Sequence, residues 1–371
     1  MDESLLQRYI SQQSAVWKAL LDKRESLTAP FAVLEPKPDR VILIGSGSSH
    51  YAALMARPVL EQAFGVEVSC FVPSQEEQLI RCRAAHPLYI AVSQSGISTN
   101  TYTLIRSLRA QGYPVVALTE HLDSPVGKAA SLAIPLFIGE ERIGAKTKGV
   151  TATVLTLMLL GLSVCRDESY RTRLYAALDA LIIQSAENLR RAQIWSCAHL
   201  EEVIPFRHLY VIAGNDGLGA AQEAALKLLE TNYLPVSCYP LDEYIHGIQN
   251  ALDGDACLIC LLPPETHTER ARMLTLTAFA RSVGAQCFLI APGGVENDLT
   301  ALNLLDTECR ELRCLTYLPA VQTLAAVLSA ARGIDTSRIF LPGWAVKWSN
   351  GYGKTPIESA VSRFAGTADL N

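Results

Sequence analysis

From residue 40 onward, short uninterrupted apolar blocks alternate with longer stretches in which apolar residues return at helical spacing. Blocks such as Val41-Ile42-Leu43-Ile44 and Leu88-Tyr89-Ile90-Ala91-Val92 contain no charged position, the pattern of a strand covered on both faces. They predict strands over 41–44, 66–72, 88–92, 115–118 and 132–137, with helices over 51–64, 101–111 and 151–164. Ahead of them, Leu5, Leu6, Tyr9, Ile10, Val16, Trp17, Leu20 and Leu21 recur at helical spacing and predict an opening amphipathic helix. Strand–helix alternation with apolar strands is the signature of an α/β, doubly wound parallel sheet.

The plan then repeats. Phe206-Arg207-His208-Leu209-Tyr210-Val211-Ile212-Ala213-Gly214 echoes Pro38-Asp39-Arg40-Val41-Ile42-Leu43-Ile44-Gly45, and each leads through a glycine-containing turn into an alanine-rich helix reaching a Leu-Glu pair. A strand over 257–262, a helix over 268–282 and a strand over 286–290 repeat the second half of the first unit. An offset of roughly 165 residues is the size of a domain and not of a solenoid repeat. The chain therefore divides into an N-terminal helix (1–35), a first α/β unit (36–168), a linking helix (169–200), a second α/β unit (201–333) and a C-terminal tail (334–371). The two units read as products of duplication.

Bulk properties narrow the class. Of 371 residues, 49% are hydrophobic and 19% charged, which describes a packed globular chain. A net charge of −5 with no clustered basic stripe argues against a nucleic-acid surface. The apolar stretch at 154–164 is too short to cross a bilayer, and the acidic opening Met1-Asp2-Glu3-Ser4 is no signal peptide. Most of the ten cysteines lie in apolar segments. Cys257 and Cys260 form a CxxC without a second pair, in a strand context that sends them to opposite faces. They read as buried thiols and not as metal ligands, which places the chain in the reducing cytoplasm.

The chemistry concentrates in two turns and one helix. Gly45-Ser46-Gly47-Ser48-Ser49 and Ser93-Gln94-Ser95-Gly96-Ile97-Ser98-Thr99 each follow a buried strand, where open α/β sheets bind ligands. Hydroxyls and free N–H groups at a helix N-terminus suit a phosphate, although the same residues are also ordinary helix caps. Neither turn holds a lysine, and the first lacks a third glycine, so neither is a P-loop or a dinucleotide fingerprint. On the later helix, Glu223, Lys227 and Glu230 are spaced by four and three residues and share one face.

The strand–GSGSS turn, the Ser93-Gln94-Ser95-Gly96 loop and the helix Ala225-Leu226-Lys227-Leu228-Leu229-Glu230 together resemble the sugar isomerase (SIS) family. The resemblance covers roughly 40–333, in the tandem double-SIS form of the isomerase half of glucosamine-6-phosphate synthase and related phosphosugar deaminases and deglycases. It implies that Ser93, Gln94, Ser95 and Ser98 hold a sugar phosphate and that Ser48 and Ser49 touch sugar and phosphate. It implies that Glu230 moves a proton between C1 and C2, and that His246, sixteen positions downstream, opens the sugar ring in the partner subunit. Glu223 and Lys227 match other polar residues of the helix, and Lys227 would hold Glu230 ionised or cover enediolate charge. The loop with Lys146, Thr147 and Lys148 matches a segment that passes near the sugar. No cofactor or metal is implied, and the expected partners are a sugar-phosphate substrate and a second copy in a homodimer with shared sites.

Three departures limit the transfer. Residue 2 is Asp2 where a glutaminase nucleophile would be a cysteine, Pro342 stands at the family's tail lysine, and Ile245 replaces a lysine before the histidine. Lys347 and Lys354 are candidate replacements in a tail that also carries Trp344 and Trp348. The second unit has Pro263-Pro264-Glu265-Thr266 in place of the serine loop, so one site per subunit is expected. Two function classes remain: an isomerising, deaminating or deglycating enzyme on an amino-sugar 6-phosphate or fructosamine 6-phosphate, and a non-catalytic sugar-phosphate sensor.

Overall fold

Three short helices open the chain where the spacing suggested one: α1 (Leu5–Ser11), α2 (Gln13–Asp22) and α3 (Arg24–Ala32). The structure, a computed structural model, describes residues 4–32, 37–80, 84–307 and 309–337. The breaks fall at Gln12 and Lys23. They let the segment turn along the long apolar helix α8 (Lys148–Val164), against which both α2 and α3 pack.

The first unit runs β1 (Arg40–Ile44), α4 (Ser48–Phe64), β2 (Val68–Phe71), α5 (Glu76–Ile80), β3 (Pro87–Val92), α6 (Thr99–Ala110), β4 (Val115–Thr119), α7 (Pro125–Ala129), β5 (Leu132–Pro135) and then α8. Its sheet has the order β2-β1-β3-β4-β5 with every neighbouring pair parallel. After α9 (Glu168–Ala198) and α10 (Leu200–Val203), the second unit follows: β6 (Leu209–Ala213), α11 (Leu218–Asn232), β7 (Val236–Pro240), α12 (Leu241–Tyr244), β8 (Cys257–Leu261), α13 (Thr268–Ser282), β9 (Gln286–Pro292), β10 (Ala301–Leu304) and α14 (Cys314–Ala331). Its order, β10-β9-β8-β6-β7, is the first order again, and it too is parallel throughout. The sequence repeat is thus a repeat of topology, while β10 carried too weak a pattern to be anticipated.

One apolar core joins the halves. It includes Val41 and Leu43 of the first sheet, Val211, Ile259 and Phe288 of the second, and the helices α4, α8, α11 and α14. The outer faces form separate clusters, one around Ile42, Tyr89 and Leu104 and one around Leu258, Cys260 and Met273. Cys257 lies in the shared core and Cys260 in the outer cluster, so the CxxC does divide between faces. Burial pushes both thiols well above the usual cysteine value, which makes them inert. Helix α8 is buried from Lys148 to Leu162 and α14 from Cys314 to Ser329. The segment Arg310–Ala331 is long and apolar enough to cross a membrane, yet 89% of its apolar 18-residue stretch is buried inside the protein; it is a core helix that the strand-and-helix reading overlooked.

Helices α4 and α11 cross where the halves meet. A β-carbon on Gly219 would stand 3.0 Å from Met55 Cγ and 3.3 Å from Met55 N, so a larger residue would press on α4 at this crossing. Beside the crossing, buried polar groups tie the opening helices to both central helices. Trp17 Nε1 donates to Thr151 Oγ1 at 3.0 Å, Thr151 donates to Gln13 at 2.8 Å, and Gln13 donates to Gln322 of α14 at 2.9 Å. Trp17 is wholly enclosed. Trp17→Ala is expected to lower unfolding free energy by about 3–5 kcal/mol, read from urea denaturation. A loss below about 1 kcal/mol would show that the opening helices are peripheral.

Candidate active site

In a parallel sheet of order 2-1-3-4-5, the crossovers from the first and third strands leave in opposite directions, opening a crevice at their carboxyl ends. Here that crevice lies beyond β1 and β3, where the two serine turns emerge. Ser48 and Ser49 form the first turn of α4 behind Gly47, and Ser98 precedes α6. Neither helix has a side-chain cap. The Ser98 hydroxyl pairs instead with Thr101 Oγ1 at 3.0 Å. The competing explanation for these residues, simple helix capping, therefore does not describe what the hydroxyls do. Ser93 is buried and Ser95 exposed.

Gln94 turns away from this row. Its Nε2 donates to Glu141 Oε2 at 2.8 Å. Glu141, buried in the loop before α8, also accepts from Thr147 N (2.8 Å), Thr147 Oγ1 (3.1 Å) and Gly149 N (3.2 Å). A β-carbon on Gly149 would sit 2.2 Å from Gln94 Oε1, so a larger residue there would have to push the Gln94 amide aside. Glu141 is the residue that sequence reasoning missed. Its only signal was an acidic residue shortly before uncapped backbone N–H groups, in a segment without periodicity.

The helix α11 brings its three polar residues together as their spacing required. Lys227 Nζ lies 3.0 Å from Glu223 Oε1 and 2.5 Å from Glu230 Oε1, and Ser48 Oγ donates to Glu223 Oε1 at 3.1 Å. The side chains of Glu223 and Lys227 are 0% and 1% exposed, while that of Glu230 is 29% exposed. Burial alone would push the Lys227 ammonium down; the two carboxylates together outweigh it and hold the lysine charged. Burial pushes the Glu223 carboxyl up against the pull of Lys227, and its Oε2 has no hydrogen-bond partner among the described residues. The arrangement leaves Glu230 as the carboxylate within reach of a ligand, braced by an ammonium behind it.

The remaining candidates divide. Thr147 is buried and bonded to Glu141, and Lys148 turns to the opening helices, where Nζ donates to Gln12 Oε1 at 2.8 Å. Lys146 stays beside the crevice, with Nζ donating to the Glu141 carbonyl at 2.6 Å. His246 does not join the group within one chain. It is exposed after α12 with Nδ1 2.8 Å from the Asp242 carbonyl, and no hydrogen bond or ion pair among the described residues links it to Glu230. Pro342, Trp344, Lys347, Trp348 and Lys354 lie outside the described residues. In the second unit, the Glu269 carboxylate occupies the matching crevice, 3.3 Å from Asn215 N.

Residues 36–163 match the SIS domain family. Over 310 residues the chain is 27% identical to the isomerizing glutamine-fructose-6-phosphate aminotransferase of Thermotoga maritima, a match covering 81% of this chain and 50% of that protein. The chain spans about half the length of the curated relatives it matches. Among solved structures, it is similar to a proposed phosphosugar isomerase of Clostridium difficile 630, with a TM-score of 0.84, 24% identity, and coverage of 92% of this chain and 97% of that one. It is also similar to the C-terminal domain of the glucosamine-fructose-6-phosphate aminotransferase of Francisella tularensis, with a TM-score of 0.78, 18% identity, and coverage of 90% and 98%. These likenesses establish the two-unit fold over nearly the whole chain.

The buried lysine gives a test of the electrostatics. Removing one partner of a buried ion pair strands the other, at a cost of about 3–5 kcal/mol. Lys227→Met is expected to lose that much in urea denaturation at neutral pH, and adding Glu223→Gln is expected to return part of it. Equal stability of the single and double variants would show that Glu223 carries no charge dependent on Lys227.

Proposed function

We propose that the chain is a member of the SIS-domain family, whose model matches residues 36–163, in a two-unit form like that of the isomerase half of glucosamine-6-phosphate synthase, and that it is a phosphosugar isomerase. Its substrate is an amino-sugar 6-phosphate or a fructosamine 6-phosphate, and its chemical step is a proton shift between C1 and C2. The observation that carries this is the Glu223–Lys227–Glu230 face of α11, joined by Ser48 Oγ to the serine turn at the strand-order switch of the first sheet. A base and an anion-binding turn thereby share one crevice.

The phosphate is held at the Ser93–Ser98 turn by hydroxyls and the uncapped N-terminus of α6, with Ser48 and Ser49 alongside. Anchoring at C6 places the reacting carbons and supplies binding energy away from them. Glu230 takes the proton from one carbon as a carboxylate and returns it to the other. His246, exposed and unconnected to Glu230 in its own chain, opens the ring in the site of a partner subunit. For a glycated amine or an aminosugar, return of the proton to the adjacent carbon turns the enolised intermediate into an imine, and one water hydrolyses its C=N bond to a carbonyl, releasing the amine or ammonia.

The test is exchange of the C1/C2 hydrogens for deuterium in D2O, followed by NMR with fructose 6-phosphate, glucosamine 6-phosphate and a fructosamine 6-phosphate. Glu230→Gln is expected to lower exchange by about 10²–10⁴-fold while a thermal shift with the same ligand persists. Ser95→Ala is expected to weaken that shift. Mixing Glu230→Gln with His246→Ala is expected to recover activity if subunits share sites. A ligand shift without exchange in the wild-type protein would favour a non-catalytic sensor.

A further inference from the structure

Moving a proton between adjacent carbons throws negative charge onto the carbonyl oxygen, and a site that lowers this barrier aims a cation or N–H at that oxygen. Lys227 is poorly placed to do so. It is enclosed, its charge is matched by two carboxylates, and moving it toward a ligand would strand both. Its task is behind Glu230. The cation in front must come from elsewhere, and among the described residues the loop before α8 offers one.

Lys146 meets the requirements. It is half-buried on the loop before α8, and Nζ uses one donor on the Glu141 carbonyl at 2.6 Å, leaving two of an ammonium's three. The loop is held in place, because the Glu141 carboxylate accepts from Thr147, Gly149 and the Gln94 side chain of the second serine turn. From the α14 side, Gln322 Nε2 donates to the Thr147 carbonyl at 3.4 Å. The other lysine of the loop, Lys148, is committed to Gln12 and to the face of Tyr9, 4.9 Å from the ring centre. Charges on α11 reach Lys146. Burial and Lys227 push its ammonium below the usual lysine value, while Glu141 and Glu230 pull it back up.

We propose that Lys146 is the cation that faces the reacting oxygen of the substrate and neutralises it as Glu230 takes the carbon-bound proton. This rests on the isomerase reading above. In the step, the C–H bond breaks and its proton passes to the Glu230 carboxylate. The released electron pair forms the C1=C2 bond, and the carbonyl π pair moves onto oxygen, where Lys146 donates a hydrogen bond. To complete the shift, the proton of the neighbouring hydroxyl passes to this oxygen while Glu230 returns its proton to the neighbouring carbon and the new C=O forms, so no oxidant or reductant is required.

The experiment compares the full-length wild-type protein with Lys146→Met and Lys146→Arg, using deuterium exchange, kcat and KM on the same phosphosugars across pH, with thermal melting as the check on folding. Lys146→Met is expected to lower kcat and exchange by about 10²-fold with little change in KM. Lys146→Arg is expected to keep most of the rate. The groups acting on Lys146 are Glu141 from its own loop and Lys227 and Glu230 from α11. An ammonium with a lowered value loses its proton earlier as pH rises, so wild-type activity is expected to fall at alkaline pH and the arginine variant to hold its rate further. Wild-type exchange that persists undiminished in Lys146→Met overturns the role of Lys146 alone, as does a change confined to KM. No exchange in the wild type with any of the phosphosugars overturns the isomerase reading and this inference with it.

Discussion

A lysine ammonium sealed from water is tolerable only between carboxylates that stay where they are. Lys227 is such an ammonium, and both its carboxylates stand on its own helix. What seals them is the other half of the chain: α4 lies across α11, and Ser48 at its first turn donates to Glu223. The close approach at Gly219 and the shared apolar core hold that lid down. The charge arrangement at the candidate site and the docking of the two units are therefore one constraint. Helix α14 of its own unit and α4 of the other both pack on α11, so the ionisable face of α11 lies where the halves meet.

The same constraint separates the roles of the three residues. Identical side chains two turns apart, Glu223 and Glu230, differ because one is enclosed and the other is partly exposed. Desolvation penalises the ionised form of the enclosed carboxylate, and the exposed one stays solvated and backed by an ammonium. A base and a structural acid thus arise from one residue type by placement on a helix whose far end reaches the surface.

Much of this was legible in the chain. The central strands were legible because parallel strands buried on both faces have no polar positions, whereas β7 and β10, at the two edges of the second sheet, were not. The α11 face followed from helical spacing alone. What escaped depended on contacts distant in sequence. Glu141 reaches Gln94 across 47 positions, and nothing periodic marks a loop residue that bonds backbone N–H groups. The three opening helices were merged because local periodicity records which face is apolar, not where the helix breaks to follow a neighbour. The depth of α14 was invisible because a helix apolar on every side gives no amphipathic pattern.

The duplicated crevices show how little separates a ligand site from a filled one. In the first unit, α4 and α6 begin without side-chain caps, and the hydroxyls around them are neutral. In the second, His267 caps α13 by accepting from Glu269 N, and the Glu269 carboxylate lies against Asn215 N in the turn after β6. A β-carbon at position 214 would come within 2.2 Å of Glu269 Oε2, so a larger residue there would have to displace that carboxylate. The positive field and free donors of a helix N-terminus attract an anion from solution or from the chain itself. Where the chain supplies its own carboxylate, a phosphate would meet fixed negative charge and donors already engaged. One acidic residue in the first turn of α13 thus fills in the second unit the place that stays free of carboxylate in the first, where Ser48 meets the α11 face.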